Sequence, residues 1–151
     1  MHQTLDRCTA AIVVGALLGG CAAPPSVAPT LPVAALEVAG LWQIAQARTE
    51  PIVDRRRARL DFGADGKLTG HTSCNTLSAR YTLVGVQFKV EAIATAGAVC
   101  RGLLAEQEDR IITALEAATT ARVRPDGLLE LRDEDGRGVL RGTRFDSENP
   151  P

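Results

Sequence analysis

Cysteine, histidine and arginine hold most of the reactive chemistry in this chain of 151 residues. A thiol can be acylated, can oxidise with a second thiol or can ligate a metal, and its position decides which. The four cysteines are Cys8, Cys21, Cys74 and Cys100. His71 stands just before Ser73 and Cys74, which pairs a base with nucleophile types. A base that close in sequence to its nucleophile is not itself a catalytic geometry, and no acid to orient the imidazole is marked. The plain reading of His71 is an exposed histidine at a strand end. Arg55-Arg56-Arg57 with Arg59 is a basic cluster. Guanidinium forks match phosphate oxygens, so these four arginines are candidate contacts for lipid phosphates or an anionic polymer, with a solvated loop as the plainer reading. Asp133-Glu134-Asp135 lacks the spaced ligands of a calcium loop and reads as a solvated turn. No Gly-rich phosphate loop follows a strand and opens a helix. The expectation is a non-enzymatic protein with no catalytic residue, no metal site and no cofactor.

The leader sets the fate of the thiols. Ala10–Leu17 is an apolar run ending in Leu18-Gly19-Gly20-Cys21. About a dozen residues are too few to span a hydrocarbon core, which needs ~20, but they fit the h-region of a cleaved signal. Small residues before a cysteine resemble a bacterial lipobox, so residues 1–20 are expected to be a lipoprotein signal peptide and Cys21 the lipidated residue. The alternatives are an ordinary secretory signal with an incidental cysteine, or a short membrane anchor. Residues 21–37, with Pro24, Pro25, Pro29 and Pro32, read as an extended Pro/Ala-rich tether. Its ~15 residues, at ~3.3–3.6 Å each, reach ~50 Å. Ala22, rather than an aspartate, follows the cysteine, which by resemblance to bacterial sorting favours the outer membrane, facing the periplasm. With Cys8 lost and Cys21 acylated, Cys74 and Cys100 remain in an oxidising compartment. A disulfide closing a loop of ~26 residues would contribute ~3 kcal/mol. Two free thiols remain an alternative, and so does metal or redox chemistry, although the spacing is far from C-x-x-C and His71 is the only histidine left for a zinc site.

Composition narrows the partners. The formal net charge is −1, and the leader removes Arg7 and Asp6 together. With Trp42, Tyr81 and three Phe as the only aromatics, the stacking platform of a single-strand binder is missing, and no nucleic acid is expected. Residues 38–146 form one expected domain, and 147–151 a frayed tail. Leu41–Ile44 alternates like a strand entering a core, with Trp42 as anchor, and Thr49-Glu50-Pro51 breaks it. Arg57–Phe62 and Lys67–His71 alternate around the turn Gly63–Gly66. Thr72–Thr76 is a polar loop. Arg80–Val84 and Val86–Val90 flank Gly85, and Ile93–Ala98 is small and apolar. Leu104, Ile111, Leu115 and Ala118 share one helical face, in a helix expected to start near Gly102 and end near Thr119-Thr120. Ala121–Arg124, Leu128–Arg132 and Gly138–Phe145 follow, separated by turns at Pro125–Gly127 and Asp133–Gly136. The expectation is α+β: a curved antiparallel sheet of seven or eight strands, half-barrel to barrel-like, with one main helix packed on it.

The order of these pieces resembles the META domain (HslJ-like) family over residues 39–145. Gly40-Leu41-Trp42 resembles its opening G-x-W segment. Leu60-Asp61-Phe62 and Gly66–Gly70 resemble the strand–turn–strand before its G-C-N motif. Cys74-Asn75 with Tyr81 resembles C-N-x-x-x-G-x-Y, and Thr95 with Cys100 resembles T-x-M-A-C. Ser73 stands where the family has glycine, Ala79 replaces a later glycine, and the Thr95–Cys100 interval carries one extra residue. The resemblance implies a small envelope protein linked to stress tolerance or antibiotic resistance, and it establishes no enzymatic activity. Asn75 is expected to hold the Cys74 loop by bonding to neighbouring backbone. Expected partners are the membrane, through the lipid, and an envelope protein or anionic envelope polymer. A monomer is expected. A pilot or chaperone for a secretion component, or an inhibitor of an envelope-attacking enzyme, is the alternative role.

Overall fold

The computed structural model describes residues 37–145. The leader, Cys21, the tether and the tail expected at 147–151 lie outside them. Nine strands and one main helix make up the domain. These are β1 (Gly40–Ala47), β2 (Glu50–Pro51), β3 (Arg59–Phe62), β4 (Lys67–His71), β5 (Thr76–Val84), β6 (Gln87–Ala96), α1 (Leu103–Ala117), β7 (Thr120–Val123), β8 (Leu129–Arg132) and β9 (Gly138–Arg144). The strands lie side by side in the order β2-β1-β3-β4-β5-β6-β7-β8-β9, every pairing is antiparallel, and β9 also pairs with β1. The sheet is therefore a ring, and α1 packs against β9, β6 and β1.

Alternation explains which face is inside. On β3, Leu60 and Phe62 are buried while Arg59 and Asp61 are exposed. The inward positions of the other strands supply Trp42, Ile44, Leu68, Leu77, Tyr81, Phe88, Leu129, Leu131 and Leu140, and α1 adds Ile111, Ala114 and Leu115. Fully burying a side chain of this size contributes about 1.5–3 kcal/mol. Tyr81 packs edge-on against Phe62, with centroids 5.3 Å apart. Its hydroxyl donates to the Gly63 carbonyl at 2.7 Å, which ties the β3–β4 turn to β5. Burial pushes the Tyr81 phenol above its ordinary pKa. Trp42 donates from its indole to the Val38 carbonyl at 2.7 Å, and the Arg144 guanidinium lies 4.0 Å from its ring. Arg144 also donates to the carbonyls of Glu37 and Ala39, so the segment that enters β1 is held on the ring.

Three elements differ from the sequence reading. Glu50-Pro51, expected as a break, forms a two-residue strand against β1; proline is tolerated there because the strand is at an edge. β6 continues to Ala96 rather than stopping near Val90. A bulge at Ala92, whose φ is +54°, shifts the register between Ser78 and Arg80. It breaks the alternation that would have revealed the continuation. Helix α1 ends at Ala117 because Ala118 is already extended and the β-branched Thr119 joins the sheet, donating from its backbone to the Arg132 carbonyl.

Candidate functional site

The outward face of β1, β3, β4, β5 and β6 carries two rows of side chains, because residues directly opposite in antiparallel strands share a face. Leu41, Asp61, Thr69, Ser78 and Ala94 form one row, and Gln43, Arg59, His71, Thr76 and Ala96 form the next. Most of them line an open groove of about 580 Å³, which Thr95 also borders. The small side chains of Ala94 and Ala96 keep its floor low. Gly70, on β4, is required as glycine because a Cβ there would meet the Arg59 carbonyl oxygen at 2.3 Å.

His71 sits at the end of β4, where the groove meets the Thr72–Asn75 loop. Its Nδ1 accepts from the Ser73 backbone N–H at 2.9 Å, which requires the neutral ring. Burial, followed by the positive charges of Arg57 and Arg59, holds its pKa below the ordinary 6.5; Asp54 and Glu108 act in the opposite direction. The Ser73 hydroxyl donates to the Asp54 carbonyl at 2.6 Å. Base and hydroxyl are thus each engaged with backbone rather than with one another.

Behind this loop lies a knot of polar groups around the Cys74–Cys100 disulfide, whose Cα atoms are 6.0 Å apart. Asn75 does not play the part expected of it. Its Nδ2 donates to Glu108 Oε1 and reaches the Cys100 sulfur, both at 3.1 Å. It is Thr72 that holds the loop backbone, accepting from the Asn75 N–H at 3.0 Å while its hydroxyl donates to Glu108 Oε2 at 2.6 Å. Gln107 is fully buried. It donates to the Thr72 carbonyl at 2.7 Å and accepts from the N–H groups of Val53 and Asp54 at 2.7 and 3.3 Å. One amide therefore ties α1 to two loops. Thr72, Gln107 and Glu108 are the residues the sequence reading missed as a unit. The available signal was Gln107 itself, which interrupts the buried stripe of Gln107, Ile111, Ala114 and Leu115 where an apolar residue is the rule.

The arginine cluster is dispersed. Arg57 pairs with Asp54 at 3.4 Å, and the Arg56 backbone N–H donates to the same carboxylate. Arg59 points into the groove row on β3, whereas Arg55 lines a different cavity together with Arg141. Asp133–Gly136 is a turn, with Asp133 Oδ1 accepting from the Arg137 N–H at 2.8 Å and Asp135 paired with Arg137.

The profile of the META domain matches residues 34–144. The chain belongs to the META domain family. Solved structures of similar fold include a protein from Burkholderia xenovorans, 17% identical with a TM-score of 0.58, over 82% of this chain and 98% of the other. A DUF4847 family protein from Bacteroides vulgatus is 14% identical with a TM-score of 0.57, over 76% of this chain and 98% of its own. At these identities the likeness is one of fold. No curated protein matches the chain in sequence. Against the META pattern, the departure at Ser73 has a structural reading: its φ is +82°, a conformation natural to glycine, and its two hydrogen bonds compensate the serine held there.

Proposed function

We propose that this META domain is the periplasmic part of an outer-membrane lipoprotein, anchored through Cys21, that supports envelope stress tolerance or antibiotic resistance by binding rather than by catalysis. One observation carries the binding reading: the groups that could do chemistry are engaged in holding the loop. Cys74 and Cys100 are joined, the Ser73 hydroxyl serves the Asp54 carbonyl, and His71 serves the Ser73 N–H. What they support is a rigid surface beside an open groove. The disulfide fits an oxidising compartment, in agreement with the leader.

A second reading is a pilot, chaperone or inhibitor acting on one protein partner. It is favoured by the border of the groove: β6 pairs with β7 only through Gln87 and Thr120. Among the described residues, the rest of β6 has no strand on that side, and an extended segment could add there. Crosslinking capture of the lipidated protein from its native envelope tests both, with Arg55→Ala, Arg56→Ala and Arg57→Ala combined as comparator. Enrichment of anionic lipid or polymer supports the first reading. A single protein partner, captured equally by the comparator, supports the second. Turnover of an envelope substrate that is lost in His71→Ala would overturn both.

A further inference from the structure

Strands β7, β8 and β9 carry a different arrangement. Glu130, on β8, is 2% exposed and is flanked by Arg122 of β7 and Arg141 of β9, its direct cross-strand neighbours. Its Oε2 accepts from Arg122 at 2.9 Å and from Arg132 at 2.9 Å. Burial pushes this carboxyl upward, but the bonds from Arg132 and Arg122 outweigh it and hold the group ionised. Arg141 stands farther off, 3.7 Å from Oε1. Three guanidinium groups therefore converge on one carboxylate, leaving an excess of positive charge on side chains that remain 36–51% exposed. Arg141 also lines a cavity of about 300 Å³ with Arg55, Gln46, Thr49, Pro51 and Leu128. Arg55 makes no ion pair among the described residues, and its backbone is fixed by Gln43, which donates to its carbonyl at 2.7 Å. Among the described residues, no carboxylate lines the cavity.

We propose that this cavity, between Arg55 and Arg141, binds a phosphate ester. Two guanidinium forks with a hydroxyl and an amide supply the donors that phosphate oxygens take. Leu128 and Pro51 offer an apolar wall to the carbon part of the ester. Glu130 acts as an internal counter-ion: it lets the arginines stand together before the ligand arrives. It is satisfied by Arg122 and Arg132, so Arg141 keeps donors for the ligand. The ester is either soluble or a lipid headgroup. The inference rests on the reading of this domain as a binding module, and it places the anion contact away from the Arg56–Arg57 turn.

The test uses the mature chain carrying Cys21→Ser, so that no acyl chain contributes. sn-Glycerol 3-phosphate is titrated by NMR, and vesicles of phosphatidylglycerol are compared with vesicles of phosphatidylcholine by sedimentation. The expected result is binding of the ester, of phosphatidylglycerol vesicles, or of both, weakened at least about tenfold by Arg141→Gln and by Arg55→Gln, since each removes a charge-assisted contact. Arg124→Gln, whose arginine pairs with Asp126, should leave it unchanged. Vesicle binding identifies a headgroup as the source, and ester binding alone a soluble ligand. The Arg55 variant alters no ion pair, so it remains informative if the Arg141 variant unfolds. Absence of binding in both arms, or binding that neither variant weakens, overturns the site. Either result leaves the lipid anchor unaffected, because that is read from the mass of the Cys21 residue.

Discussion

At the scale of single residues, the reach of a side chain matters more than its position in the chain. His71 was legible as a strand-end histidine, but its bond to Ser73 depends on a left-handed backbone that no pattern of residue types announces. Its titration is a direct check. With a folded pKa below the unfolded 6.5, the folded state binds fewer protons between the two values. The stability this contributes is complete above pH 6.5 and is lost as pH falls through the folded value. An NMR titration of the His71 ring should have its midpoint below 6.5, and Arg59→Gln should raise that midpoint by removing a positive neighbour. A midpoint at or above 6.5 would contradict the geometry. Gln107 was legible only as a polar residue on the buried stripe of the helix; what it serves was not, because its partners lie 35 and 54 residues away in sequence. Gln107→Ala leaves two backbone N–H groups and one carbonyl unserved, and should cost about 2–4 kcal/mol in denaturant unfolding. A loss under 1 kcal/mol would mean that water replaces the amide.

At the scale of elements, period-2 alternation located β3, β4 and β8, and the preceding turn located β9, because these turns are tight. The same signal failed wherever the backbone departs from regularity. The Ala92 bulge hid the second half of β6, and the β1–β2 connection is too short to carry a pattern. The cysteine count pointed to the Cys74–Cys100 bridge, but not to what it fastens: the Thr72–Asn75 loop to the segment that leads into α1. Gly97 belongs to this joint, for a Cβ there would lie 2.2 Å from Asn75 Oδ1. Replacing both cysteines by alanine should lower stability by about 3 kcal/mol in the chain-entropy account. It should also free the loop, seen as faster amide exchange at Asn75 and Ser73. If stability falls but exchange at those amides is unchanged, the hydrogen bonds of Thr72 and Gln107 suffice to hold the loop and the bridge acts only on the unfolded chain.

At the scale of the whole molecule, the ring of strands presents two unlike faces: a mixed polar groove over β3–β6 and an arginine-rich surface over β7–β9. The succession of hairpin turns and the one change to helical period were enough to anticipate the α+β class and the single helix. They could not anticipate the two faces, because these arise from register. Arg122, Glu130 and Arg141 become neighbours only when β7, β8 and β9 align, and Arg55 joins them only when the ring closes through β1 and β9. The arginine cluster read from the sequence does not form one surface, although Arg57 and Arg59 both act on His71. Its members part to a turn, a groove and a cavity.

The proposed tether at the envelope is tested most directly at the mature N-terminus. Mass spectrometry of the protein extracted from the outer-membrane fraction should show a chain that begins at Cys21 and carries the mass of a diacylglyceryl group there. A mature chain that begins elsewhere, or an unmodified Cys21 in a soluble periplasmic fraction, would contradict it.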